Sequence, residues 1–200
     1  MFKQIVLASN NAGKLREFSQ LFAQHHIDVL PQSQFHITEC AEPYFTFVEN
    51  ALAKARHASK HSGLPALADD SGICFPALNG APGVLSARFA GDAPKSDAAN
   101  NAKASTELAQ HSDKSAYYVC VLVLVRHEHD PQPIIAEGIW HGQWQTEAAG
   151  EHGFGYDPHF YLPEHACTAA ELPPETKNRI SHRALALHAL MNKLANPSFK

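Results

Sequence analysis

The sequence predicts an α/β fold. Three observations carry that expectation: a short apolar run followed by a small polar loop and a stretch of helical periodicity at the N-terminus, a second apolar strand bracketed by two further helices, and a pair of long apolar runs around a proline turn.

Taken in order, Gln4-Ile5-Val6-Leu7-Ala8 reads as a strand buried on both faces. The loop Ser9-Asn10-Asn11-Ala12-Gly13 follows. After Lys14, Leu15, Phe18, Leu21 and Phe22 recur at helical spacing until His25-His26, and a strand over Ile27 to Leu30 completes a βαβ unit with a right-handed crossover. Thr46 and Glu49 have the spacing of a capping box, which starts a helix whose apolar face is Phe47, Ala51, Leu52, Ala55 and Ala58. Lys54 falls at the margin of that face; it either snorkels over apolar surface or reaches into a cleft. Leu64 to Ala68 reads as a strand ending directly on Asp69-Asp70-Ser71-Gly72, and the Gly, Pro and Ala-rich stretch from Asn79 to Gly91 as loop or hairpin. Ser96-Asp97 caps a helix running to about Gln110. Ser115 to His127 and Gln132 to His141 form an antiparallel hairpin about His129-Asp130-Pro131, extended by a third strand over Gln143 to Ala148. Ser181 caps the last helix, with Ala184, Leu185, Leu187, Leu190, Met191 and Leu194 on its apolar face.

Composition narrows the function classes. The 200 residues (21.9 kDa) suit one domain over 1–200, or two closely apposed lobes, with a core that needs no disulfides. A formal charge of −4 and a pI near 6.4 lack the electrostatic footprint of a protein that binds long nucleic acid. The longest apolar run, Tyr117 to Val125, is about half a membrane span, and Met1-Phe2-Lys3 does not open a signal peptide. A cytoplasmic protein without membrane or nucleic-acid partners is expected, its four cysteines reduced. The 14 histidines read as exposed or hydrogen-bonded side chains, not as a metal site.

Several segments could carry chemistry. The loop before Lys14 can offer backbone N–H groups, a hydroxyl and amides to a phosphate at a helix N-terminus, or be an ordinary βα turn; it is not a Walker A loop. Asp69-Asp70 ends a strand where open α/β sheets place ligands, with the two carboxylates on opposite faces; one can hold a metal or polarise water, unless the pair is a plain Asx turn. Oxygen ligands suit Mg²⁺, with Glu39, Glu42 and Glu49 as candidates for a second carboxylate. Gly153-Phe154-Gly155-Tyr156-Asp157-Pro158 either stacks an aromatic on a flat ligand or plugs a tight turn. Ser181-His182-Arg183, with Lys177 and Arg179 upstream, provides donors for a base edge or phosphate, or solvated helix-end charge. Arg88 lies in a glycine-rich loop and could contact ligand or surface.

Together these segments resemble the inosine/xanthosine triphosphate pyrophosphatase family, of the Ham/Rdg type. The resemblance runs from about Ile5 to Leu194. Its most specific pieces are Ser9-Asn10-Asn11-Ala12-Gly13-Lys14, Thr46-Phe47-Val48-Glu49-Asn50-Ala51, Ala68-Asp69-Asp70-Ser71-Gly72, Gly80-Ala81-Pro82-Gly83, the Gly153 to Pro158 stretch and Ser181-His182-Arg183. It implies an elongated, two-lobed α/β fold with a long central mixed sheet flanked by helices, a nucleotide cleft between the lobes, the second lobe at roughly 115–165, and a homodimer. It implies Mg²⁺-dependent hydrolysis of deaminated purine triphosphates (ITP, dITP, XTP) to the monophosphate and pyrophosphate, cleansing the nucleotide pool. Carried over by residue, Ser9, Asn10, Asn11, Ala12, Gly13 and Lys14 hold the triphosphate, Asp70 is the general base or metal-side carboxylate with Ser71 beside the substrate, Glu42 helps with Mg²⁺, and Lys54 reaches the phosphates. Phe154, Gly155, Tyr156, Asp157, Lys177, His182 and Arg183 form the base pocket.

One departure stands out. The family usually has a Glu-Glu-Thr-Gly-like stretch where this chain reads Ala41-Glu42-Pro43-Tyr44-Phe45, so Glu42 keeps a carboxylate that Pro43 is placed to re-aim. Two competing readings are a pyrophosphatase for other modified nucleotides and a purine-nucleotide sensor without hydrolysis; the set Asp70, Lys14 and Lys54 argues against the second, since binding alone does not require it.

Overall fold

A computed structural model describes residues 2–23, 26–92 and 95–195 of the chain. Its centre is a mixed seven-stranded sheet: β1 (Gln4–Leu7), β2 (Asp28–Pro31), β3 (Ala66–Cys74), β4 (Ser115–Val125), β5 (Ile134–Trp144), β6 (Phe160–Leu162) and β7 (Cys167–Thr168), in the order β2-β1-β3-β4-β5-β6-β7. β1 is parallel to β2 and β3, whereas β6 is antiparallel to β5 and β7. The helices are α1 (Ala12–Ala23), α2 (Phe47–Ser62), α3 (Asp97–Leu108), α4 (Pro174–Ile180) and α5 (His182–Ala195). The expected α/β class is thus what the chain adopts.

Two compact units divide the chain. The first comprises Met1–Asp70, Val121–Glu137 and Ala186–Lys200, the second Ser71–Cys120 and Gly138–Leu185. In the first, α1 packs on β2 and α2 on β1, burying Ile5, Leu7, Phe18, Phe22, Ala51, Ala55 and Leu67. In the second, Phe75, Tyr118, Trp140, Trp144, Tyr156 and Phe160 form an aromatic core. β5 has one covered face and one open face, since alternate side chains from Ile134 to Trp140 are buried and exposed, while β4 is buried almost throughout.

Four sequence expectations are corrected. β3 does not stop at Ala68; it continues through Asp69-Asp70-Ser71-Gly72 to Cys74, so the aspartates are strand residues and the Asx-turn reading fails. Gly72 permits this, because a Cβ there would lie 2.3 Å from the Gly83 carbonyl oxygen. No separate strand covers Gln143 to Ala148: β5 runs through Trp144, and β6 and β7 extend the sheet instead. The stretch from Asn79 to Gly91 read as loop or hairpin contains a 3₁₀ turn, Gly83–Arg88, with Ser86 Oγ accepting from Ile73 N at 2.9 Å; a second, Pro76–Leu78, immediately precedes it. α1 starts at Ala12, inside the segment read as loop, because Asn11 caps it. His25 and the side chain of Leu21 lie outside the described residues.

Candidate active site

The ionic cluster of the first unit grows from β3. Successive strand residues face opposite ways, so Asp69 and Asp70 address different partners. Asp69, 1% exposed, pairs with Lys14 at 2.6 Å. Asp70 Oδ1 lies 3.3 Å from Lys54 Nζ, and the same ammonium lies 2.5 Å from Glu42 Oε1. Lys54 therefore reaches inward from the margin of α2 and bridges two carboxylates; it does not snorkel. Of the three candidate second carboxylates, only Glu42 shares a partner with Asp70: Glu49 accepts from the Thr46 hydroxyl at the N-cap of α2, and Glu39 accepts from Asn10 Nδ2 at 3.4 Å.

Burial pushes the Asp70 carboxyl above the usual carboxylate range, with Lys54 opposing and Glu42 and Asp69 reinforcing the shift. For Lys54, burial works against the charge, but Asp70, Asp69 and Glu42 outweigh it and raise its pKa. The second carboxylate oxygen of Asp70, Oδ2, is buried with no hydrogen-bond partner among the described residues. An orphaned carboxylate oxygen next to a second carboxylate fits a hard cation that takes one or two protein carboxylates and fills its remaining positions with water and phosphate oxygens. No group of three His, Cys, Asp or Glu among the described residues could form an all-protein cage.

The loop Ser9 to Lys14 is more self-contained than its sequence suggested. Asn11 Oδ1 accepts from Gly13 N at 2.9 Å and Lys14 N at 3.1 Å, and Ser9 Oγ accepts from Asn11 N at 3.2 Å. Those backbone donors are engaged in capping α1, which leaves side chains as the loop's main resource.

In the second unit, Phe154 is 49% exposed, with the Arg183 guanidinium 5.2 Å and the Lys177 ammonium 5.7 Å from its ring centre. The turn behind it is built by Asp157, 3% exposed, whose Oδ2 accepts from Phe154 N at 2.9 Å and Lys177 Nζ at 2.5 Å. Gly153 has φ +79°, and a Cβ there would strike the Asp157 carboxylate. Gly155 is held at both backbone groups by α3: its N–H donates to Asp97 at 2.8 Å and its carbonyl accepts from Asn101 at 3.0 Å. Tyr156 is buried and donates its hydroxyl to the Ser86 carbonyl at 2.7 Å. His182 is buried too, stacked on Tyr118 at 4.6 Å and 9°. Burial, with the Asp157 charge second, holds the Tyr118 hydroxyl far above its usual pKa. Phe154, Lys177 and Arg183 thus present a surface, while Tyr156 and Asp157 hold it up.

The comparisons bear on the whole chain. The model of the Ham1 family matches residues 5–193. The chain belongs to the Ham1 family. Among its relatives, a Neisseria meningitidis serogroup A protein named dITP/XTP pyrophosphatase is 70% identical, covering 96% of this chain and 97% of its own. A Chromobacterium violaceum protein of the same name is 63% identical over 97% of this chain and 98% of its own. A solved Ham1 protein from Coxiella burnetii superposes with a TM-score of 0.92 at 49% identity, covering 97% of this chain and 98% of that one. The resemblance carried by the six motifs is borne out.

Within this Ham1 chain, sequence reading missed the residues that support the site. Asn50, Asp97, Asn101 and Ser86 all work by hydrogen-bonding backbone elsewhere in the chain, which periodicity does not register. For Asn50 and Asn101 there was a faint signal, since Asn is a poor residue for a helix interior. The histidine reading also overlooked His57 and His61, four apart on α2 with ring centres 4.6 Å apart; His57 Nε2 lies 3.0 Å from the Thr38 carbonyl oxygen.

Proposed function

We propose that this chain hydrolyses ITP, dITP and XTP between the α- and β-phosphates, giving the nucleoside monophosphate and pyrophosphate. The observation that carries the reading is 70% identity, over nearly the whole of both chains, to a protein named dITP/XTP pyrophosphatase. The Asp70, Lys54 and Glu42 cluster supplies the chemistry that name requires.

In this mechanism Asp70 and Glu42 hold Mg²⁺, which when bound neutralises phosphate charge and makes the phosphorus more electrophilic. Asp70 is also the group suited to take a proton from the attacking water, because burial has made it more basic than an ordinary carboxylate. Lys54 steadies both carboxylates and offers positive charge to the phosphates. Ser9, Asn10, Asn11 and Lys14 contribute side-chain donors to the triphosphate, with Ala12 and Gly13 leaving room at the start of α1. Ser71 follows Asp70 beside the substrate.

The purine stacks on Phe154, and Arg183 and His182 donate to its 6-oxo oxygen with Lys177 adding charge; Gly155, Tyr156 and Asp157 shape the turn. Adenine would oppose donor to donor there, and rejection by unpaired polar groups reaches about 10⁴-fold. The same reading makes the protein a cytoplasmic homodimer. No helix among the described residues is long and apolar enough to cross a membrane, and none of the four cysteines is in a disulfide.

The test is product analysis by ion-exchange chromatography, with protein, Mg²⁺ and inosine, xanthosine, adenosine or guanosine triphosphate in parallel. Monophosphate and pyrophosphate from the first two is the expected result. Diphosphate and phosphate, or equal turnover of adenosine triphosphate, overturns it.

A further inference from the structure

Asn50 is the fourth residue of α2 and is 2% exposed. An asparagine buried in a helix needs partners for its amide, and here both come from one residue: Tyr44 N donates to Asn50 Oδ1 at 3.1 Å, and Asn50 Nδ2 donates to the Tyr44 carbonyl at 3.2 Å. This two-bond clasp grips the backbone of the Ala41 to Phe45 segment as a neighbouring strand would. Lys54 lies four residues further along α2, on the same helix face, and grips the same segment at Glu42. Between the two grips lies only Pro43, whose ring fixes φ near −65°. Few torsions therefore separate Asn50 from the Glu42 carboxylate.

We infer that Asn50 is a positioning residue for the metal site: its clasp on Tyr44 sets the aim of Glu42, with Pro43 between them limiting how far the carboxylate can turn. The inference rests on the proposed role of Glu42 in holding Mg²⁺ and extends it to a residue that touches neither metal nor nucleotide. Outer partners of metal ligands typically influence affinity by about 10–100-fold.

The experiment measures the Mg²⁺ requirement for ITP hydrolysis and, separately, binding of Mn²⁺ alone by calorimetry. Asn50→Ala is expected to raise half-saturating Mg²⁺ about tenfold, with the KM for ITP at saturating Mg²⁺ changing less than about twofold, and to weaken Mn²⁺ binding in parallel. Asn50→Ala added to Glu42→Gln should cause no further rise, since both changes act through one carboxylate. Should Asn50→Ala fail to fold, Tyr44→Pro removes one bond of the clasp from an exposed position without touching α2, and Tyr44→Ala is its control because it keeps the N–H. The proline variant should reproduce the raised requirement and the alanine variant should not.

An unchanged Mg²⁺ requirement in Asn50→Ala or Tyr44→Pro overturns the inference, as does a Glu42→Gln enzyme with the wild-type requirement. Failure of the underlying reading looks different: wild-type protein then gives no monophosphate and pyrophosphate at any Mg²⁺ concentration.

Discussion

Lys14 and Asp69 form an ion pair of 2.6 Å in which the carboxylate is 1% exposed and the ammonium side chain 19%. The lysine of the first motif is therefore a structural counter-ion, in addition to the phosphate-binding role proposed for it. Removing it leaves a buried carboxylate without that cation, which commonly costs about 3 kcal/mol or more. Lys14→Met should lower the melting temperature by roughly 6–12 °C for a chain of this size. Lys14→Met combined with Asp69→Asn should recover part of that loss while the KM for ITP stays raised. Calorimetry and steady-state kinetics on the three proteins separate the two roles of Lys14.

In the proposed mechanism Asp70 carries the chemistry, and its burial burdens it. Asp70→Asn should reduce turnover by roughly 10³-fold or more while nucleotide still binds, because only the ionised carboxylate can accept a proton. The folded state holds the Asp70 proton more tightly than the unfolded chain does, so the stabilising contribution is present at low pH and lost as pH rises through the raised pKa. At neutral pH the ionised side chain is thus a net burden on the fold, and Asp70→Asn should melt no lower than wild type. A clear drop in melting temperature at pH 7.5 would contradict this.

The same shift sets the acid limb of catalysis. Since Asp70 must be ionised and its pKa lies above the ordinary carboxylate range, turnover should fall at a higher pH than an exposed aspartate, near 3.9, would give. A pH profile of kcat/KM at Mg²⁺ well below saturation, where the carboxylate titrates without a cation on it, checks it; an acid limb at or below the ordinary range refutes it.

Asp130 behaves oppositely. It is fully buried in the β4–β5 connection, accepting from Arg126 N, Nε and Nη2 and from Gln132 N. The Arg126 hydrogen bonds hold its carboxyl far below the usual range. Its stability contribution is present above the unfolded pKa of about 3.9 and fades as pH falls toward the folded value. Asp130→Ala should cost about 3 kcal/mol at pH 7, and the gap from wild type should narrow in urea titrations at pH 3.

Phe154 tests the base platform. It is half exposed and outside the aromatic core, so Phe154→Ala should leave the melting temperature nearly unchanged. Loss of base stacking, worth about 1–3 kcal/mol, should raise the KM for ITP roughly tenfold or more. An unchanged KM would remove Phe154 from the substrate site.

Much of this was legible in the sequence because it rests on short-range regularities. β1 is a continuous apolar run, α2 begins at a Thr46 cap three residues before Glu49, and α3 begins at Ser96, whose hydroxyl accepts from Ala99 N. What stayed hidden rests on long-range backbone contacts. Nothing local shows that Gly72 must clear the Gly83 carbonyl, which lets β3 run on past the aspartates, or that Asn11 takes up the donors of its own loop. β6 and β7, of three residues and two, are too short to show a period at all. The base-side motif was visible, but its division into surface and support was not: Asp157 and Tyr156 look like ligand contacts until burial shows them facing inward.

The alternation of β3 bears on how this protein can change over evolutionary time. The β1–β3 ladder pairs Val6 with Ala66 and Leu7 with Leu67, ending two residues before Asp69. Inserting or deleting one residue between Leu67 and Asp69 would exchange the faces of the two carboxylates, sending Asp69 toward Lys54 and Asp70 toward Lys14. With an uncharged residue the net charge would be unaltered, yet both lysines would meet the wrong partner. Length variation is therefore closed to this stretch, and new substrate preferences have to arise by substitution in the segments around it.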